Sequence, residues 1–157
     1  MWKESGINKY PEIILSDCII TNIERKGDDI VVDFGEDGFV IKDTKKDKYY
    51  RTAPSQVVIK ECDIDNIDIK EIRTQQLSEE LFFKTAYDLE PELFIKKINK
   101  GKWKFEVEYE YYSCVGALYV GHVQPKKKNQ KSFNCCVILQ FKELLYLWNE
   151  IRYDRPV

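Results

Sequence analysis

A chain of 157 residues is the size of one ordinary domain, and its 43% hydrophobic and 33% charged residues strike a globular balance that disordered chains, poor in aromatics, do not reach. Lys and Arg number 25 against 27 Asp and Glu, so the net charge of −2 gathers no phosphate backbones and disfavours general nucleic-acid binding. No stretch approaches the ~20 apolar residues that cross a bilayer, and the opening Met1-Trp2-Lys3-Glu4-Ser5 lacks the apolar segment of a secretion signal, so a cytoplasmic protein without membrane contact is expected.

The apolar content leans on Tyr (10) and Phe (8) with a single Met, a mixture that suits pleated surfaces. Residues 13–23 are rich in β-branched side chains, and Lys26-Gly27-Asp28-Asp29 supplies a turn before Ile30, Val32 and Phe34. A second turn, Gly35-Glu36-Asp37-Gly38, leads into Phe39-Val40-Ile41, which together predict an opening three-strand meander. The lysine-rich run 42–48 buries nothing and reads as a loop. Apolar alternation resumes over 57–72 with two phase slips, as in one bent strand or two strands joined by a bulge.

Ser78 can cap a short helix over 79–86, and Pro91 can open another whose Phe94 and Ile98 share a face before Gly101 closes it. Then Trp103, Phe105, Val107, Tyr109 and Tyr111 alternate with Lys104, Glu106, Glu108 and Glu110, predicting a strand with one apolar and one charged face. Residues 115–123 read as its antiparallel partner, with Gly116 and Gly121 allowing close backbone approach or a bulge. Lys126 to Lys131 form a polar loop, Phe133 to Phe141 a further strand, and Leu144, Leu145, Trp148 and Ile151 fit helical spacing. The expected fold is a single domain over 1–157, mainly β with one to three short helices (α+β), its antiparallel sheet curled into a sandwich or open barrel. Ile19, Phe105, Val107, Tyr109, Val137 and Leu139 are its expected core.

No catalytic, metal-binding or cofactor motif is written in the chain, and no cofactor is expected. The glycines spell neither a phosphate loop nor a dinucleotide fingerprint. The one histidine, His122, falls on a predicted strand, where a polar strand residue is the simpler reading than half of a Cys-His pair. The five cysteines have no CxxC spacing, and Cys135 and Cys136 point to opposite faces of a strand, so they read as reduced, mostly buried side chains. Asp63, Asp65 and Asp68 sit among apolar residues and are read as exposed.

Two features can recognise a partner. One is the carboxylate row Glu106, Glu108 and Glu110, extended by Asp63 and Asp65 if those strands are neighbours; its plainer reading is a solvated outer face. The other is the run 148–155, in which Trp148, Arg152, Tyr153 and Arg155 interleave as in interface hot spots, although packing of Trp148 on the core is the simpler fate.

The stretches Leu15-Ser16-Asp17-Cys18-Ile19-Ile20-Thr21-Asn22-Ile23-Glu24, Gly27-Asp28-Asp29-Ile30-Val31-Val32-Asp33-Phe34 and Tyr146-Leu147-Trp148-Asn149-Glu150-Ile151-Arg152 resemble segments of small immunity proteins of polymorphic toxin systems. That resemblance implies a cytoplasmic, non-enzymatic protein that binds one cognate toxin domain, such as a basic nuclease, by tight stoichiometric contact. The alternatives are a small-ligand-binding β-barrel, which would enclose an apolar cavity, and an enzyme whose site is assembled only in three dimensions.

Overall fold

Alternating apolar and polar side chains carry most of the chain into strands. The computed structural model describes residues 1–157 and contains β1 (Glu4–Ile7), β2 (Ile13–Ile14), β3 (Cys18–Lys26), β4 (Asp29–Phe34), β5 (Val40–Asp43), β6 (Lys48–Thr52), β7 (Ser55–Lys60), β8 (Ile67–Gln76) and β9 (Phe82–Asp88). One helix, α1 (Pro91–Asn99), precedes β10 (Trp103–Tyr112), β11 (Gly116–Pro125), β12 (Phe133–Gln140), β13 (Glu143–Trp148) and β14 (Ile151–Pro156). Ten strands form one sheet in the order β1-β13-β7-β4-β3-β10-β11-β12-β8-β9, and four form a second in the order β14-β6-β5-β2. Every pairing is antiparallel and the large sheet does not close, leaving β1 and β9 as free edges. The mainly β, open architecture is that expected from the sequence.

The inner face of the large sheet holds the core. Phe39 joins the two sheets, its ring meeting Phe34, Tyr146 and Trp148 edge-on at 6.1, 5.8 and 6.0 Å. Helix α1 covers the other end. Pro91 opens it, Phe94 and Ile98 lie on its buried face, and Gly101 follows its last turn at φ +60, a conformation that favours glycine. The Asn99 amide fixes the helix to β3 by donating to the Ile23 carbonyl (2.7 Å) and accepting from its N–H (2.8 Å). Phe94 then packs edge-on against Phe105 at 5.5 Å. What remains between the helix and the sheet is an apolar cavity of about 50 Å³.

Several expectations fail for identifiable reasons. Phe39-Val40-Ile41 does not complete a meander: β4 pairs with β7 instead, and β5 crosses to the small sheet. Of the two readings of 57–72 the two-strand one holds, but a 3-10 turn over Ile64–Asn66 joins the strands in place of a bulge, and they lie apart in the large sheet. The helix expected over 79–86 is mostly strand β9, held by its register with β8. The helical reading of Leu144 to Ile151 also fails, because β13 inserts between β1 and β7 and so has neighbours on both sides. Backbone pairing across the sheet overrides a local spacing that suits either structure. Ile19, expected in the core, is exposed because it faces outward beside Glu106.

Candidate functional site

The strand β10 changes face halfway along. Up to Val107 the expected alternation holds, with Phe105 and Val107 buried and Lys104 and Glu106 outside. Val107 pairs with Gly121, but the next aligned pair is Tyr109 with Val120, so Glu108 is an extra residue in a β-bulge. Gly121 permits the close approach at this point: a Cβ there would lie 2.2 Å from the Glu106 carbonyl oxygen. Beyond the bulge the phase is inverted. Glu110 is buried, whereas Tyr109 and Tyr111, expected inside, are 59% and 57% exposed.

Glu110 therefore belongs to the interior and not to an outer acidic row. The Leu15 N–H lies 3.0 Å from both of its carboxylate oxygens, and the Tyr112 hydroxyl donates to it at 2.9 Å. Burial pushes its carboxyl above the usual carboxylate range, and these donors hold the rise back. Close by, the buried hydroxyls of Tyr119 and Tyr146 make no hydrogen bond.

On the outside, the inversion gathers a different surface. Pairing places Tyr109 beside Val120 and Cys136, and Tyr111 beside Leu118 and Ile138, so these side chains share the outer face of β10, β11 and β12. Val115 and Ile138, 63% and 40% exposed, help to line a hollow of about 350 Å³ together with Tyr111 and Leu118. Glu106 and Glu108 lie on the same face toward the other end of β10, and neither forms a salt bridge. An aromatic and aliphatic centre bordered by unpaired carboxylates is the composition of a protein-docking surface.

The other sequence-derived residues are scattered. Asp63 accepts from the Ile64 N–H at the start of the 3-10 turn and bridges to Arg25 at 2.8 Å, while Asp65 is exposed in that turn. They do not extend the Glu106 row, because β11 and β12 stand between β10 and β8. Trp148 is buried against Phe39, and Arg152 is engaged with Asp154 at 3.2 Å. Tyr153 is likewise occupied, meeting Tyr50 edge-on at 5.1 Å with the Lys46 ammonium 3.8 Å from its ring centre. The sequence reading missed Tyr109, Tyr111, Leu118 and Ile138 as surface residues. Its available signal was the pair Tyr111-Tyr112, two adjacent aromatics that no single strand phase can place on one face.

Chemistry-bearing groups elsewhere do not converge. His122 meets Asn134 at 3.1 Å on the outer face. Burial pushes the thiols of Cys18 and Cys135 up to about 12 and that of Cys62 to about 11, so all three are protonated at neutral pH. No group of three or more His, Cys, Asp and Glu side chains is placed to hold a metal ion. No family model matches the chain, and no curated protein or solved structure matches it either.

Proposed function

We propose that this chain is a stoichiometric binding protein of the immunity type, which docks on a cognate toxin domain through the outer face of β10, β11 and β12 and occludes it. The supporting observation is the exposed outer-face cluster of Tyr109, Tyr111 and Ile138, beside a hollow of about 350 Å³ that Tyr111, Val115 and Ile138 help to line, with the unpaired carboxylates of Glu106 and Glu108 at its border. Tyrosines of this kind supply large contact area at low rotamer cost, and unpaired acids steer a basic partner and speed encounter. The interior cavity of about 50 Å³ falls well below the roughly 300–1,000 Å³ of small-molecule pockets, which counts against the ligand-binding barrel.

The test pairs the purified chain with a basic nuclease domain of a polymorphic toxin, sought among the genes adjoining its own. Calorimetry should give one-to-one binding, and co-expression should relieve toxicity. Tyr111→Ala should weaken binding by about 2 kcal/mol or more, roughly thirtyfold, with an unchanged melting temperature. Replacing Glu106 and Glu108 by Lys should slow association and flatten its salt dependence. Binding indifferent to all three substitutions would remove this face from the mechanism.

A further inference from the structure

The far edge of the large sheet is an arm that stands clear of the core. Every residue from Arg73 to Asp88 is exposed, and Leu77, Leu81, Phe82, Phe83 and Tyr87 are so at 41–66%. Its hydrogen bonding runs to one side only. The Leu89 N–H donates to the Ile69 carbonyl and the Leu77 N–H to the Leu81 carbonyl, both at 2.9 Å. With the register from Lys70 opposite Asp88 to Gln76 opposite Phe82, bonded pairs alternate so that Phe83, Thr85 and Tyr87 bond to β8. The N–H and C=O groups of Phe82, Lys84, Ala86 and Asp88 therefore point outward along an unpaired edge. That edge carries no proline and no bulge, and a single lysine is its only common protective device.

The sequence of this edge is complementary to itself when run antiparallel. We propose that a second copy of the chain pairs its β9 with this β9 about a two-fold axis at Thr85, joining the two large sheets into one. In that register Lys84 bonds opposite Ala86 of the second copy and Phe82 opposite Asp88, so every outward backbone group of the strand gains a partner. Between them fall the closer, non-bonded positions, where Thr85 meets Thr85 and Phe83 meets Tyr87 of the second copy, both favourable cross-strand pairs. Lys84 lies one diagonal step from Asp88 of the second copy. Sliding the register so that the axis sits at Lys84 sets two lysines opposite each other, and moving it to Ala86 sets Phe82 opposite Glu90, past the end of the strand, and gives up the Thr85–Thr85 and Phe83–Tyr87 pairs. The contact is isologous and closes at two subunits, and it leaves the outer face of β10, β11 and β12 free on both. It does not depend on the toxin-binding reading.

Sedimentation equilibrium of the full chain should give twice the 18.7 kDa of one chain at micromolar concentration. Ala86→Pro removes an outward N–H from each copy and leaves the β8 ladder intact, so it should raise the dimer dissociation constant about tenfold. Lys84→Glu, at an exposed residue without a salt bridge, should weaken the dimer with no change in the circular dichroism spectrum. With Cys114→Ser removing the exposed native thiol, Thr85→Cys should oxidise to a covalent dimer, because facing non-bonded residues lie about 4.5 Å apart at Cα, within disulfide reach. A chain that stays monomeric up to about 1 mM, or a dimer that survives Ala86→Pro, overturns the proposal.

Discussion

The two halves of β10 carry the same pattern and do opposite things with it. Trp103, Phe105 and Val107 occupy every second position before the bulge, as Tyr109 and Tyr111 do after it, yet the first group faces the core and the second faces solvent. A period of two fixes which residues share a face only within an unbroken ladder, and one extra residue exchanges the faces beyond it. The exchange also changes what the interior must provide. Before Glu108 the buried side chains are apolar and need only packing; after it they are Glu110 and Tyr112, which need partners. Tyr112 donates to Glu110 and Glu110 accepts from the Leu15 N–H, so the polar half of the strand is what positions the entry to β3.

The two halves of β10 respond differently to deletion. Deleting Glu106 would place Val107 outside and Glu108 inside, and should abolish the cooperative unfolding transition, whereas deleting Glu108 removes the extra residue and keeps Glu110 facing inward. Cooperative melting in the first deletion would refute the phase assignment. Phe105→Ala should lower stability by about 3–5 kcal/mol in denaturant titrations, and Tyr109→Ala by less than ~0.5 kcal/mol. Equal midpoint shifts would mean that the two halves do not differ.

Glu110→Ala leaves the Leu15 N–H and the Tyr112 hydroxyl without their acceptor and should cost about 1–3 kcal/mol. Glu110→Gln keeps an acceptor and removes the titrating proton. Because burial raises the carboxyl above its ordinary 4.5, the folded protein holds this proton to higher pH than the unfolded chain. The stability linked to it is complete below the ordinary value and is lost as pH rises through the raised one. The stability of wild type relative to Glu110→Gln should therefore fall as pH climbs from about 4.5 toward neutrality; a flat difference would show that Glu110 is solvated. The smallest effect has the opposite sign. Tyr146→Phe removes a buried hydroxyl that makes no hydrogen bond, and should leave stability unchanged or raise it by up to ~1 kcal/mol.

Fold class was legible because the alternation in β3, β4, β10, β11 and β12 is strong and its turns are marked by glycine and aspartate. Helix α1 was legible because Pro91 at its start and Gly101 just past its end are local signals. Strand order was not, since nothing near β13 in the sequence says that it lies between β1 and β7. The 79–86 segment shows the same limit: Ser78 and the acids after it are good helix-start chemistry, and the β8 edge, an unread partner, made most of the segment a strand. Of the proposed docking face, Glu106 and Glu108 were read correctly as outward, while its tyrosines were assigned to the core because the bulge at Glu108 has no composition signal of its own.

The placement of β13 has a consequence for how the protein is made. Glu4 is aligned with Trp148 and Val57 with Tyr146, so a strand synthesised late must slot between two made well before it. Until it leaves the ribosome, β7 stands as an open edge of the nascent sheet and β1 has nothing to pair with. Loop closures of this length are searched late and slowly, so refolding should take milliseconds to seconds, and a chain stopped before Glu143 should remain an aggregation-prone intermediate with β1 unpaired.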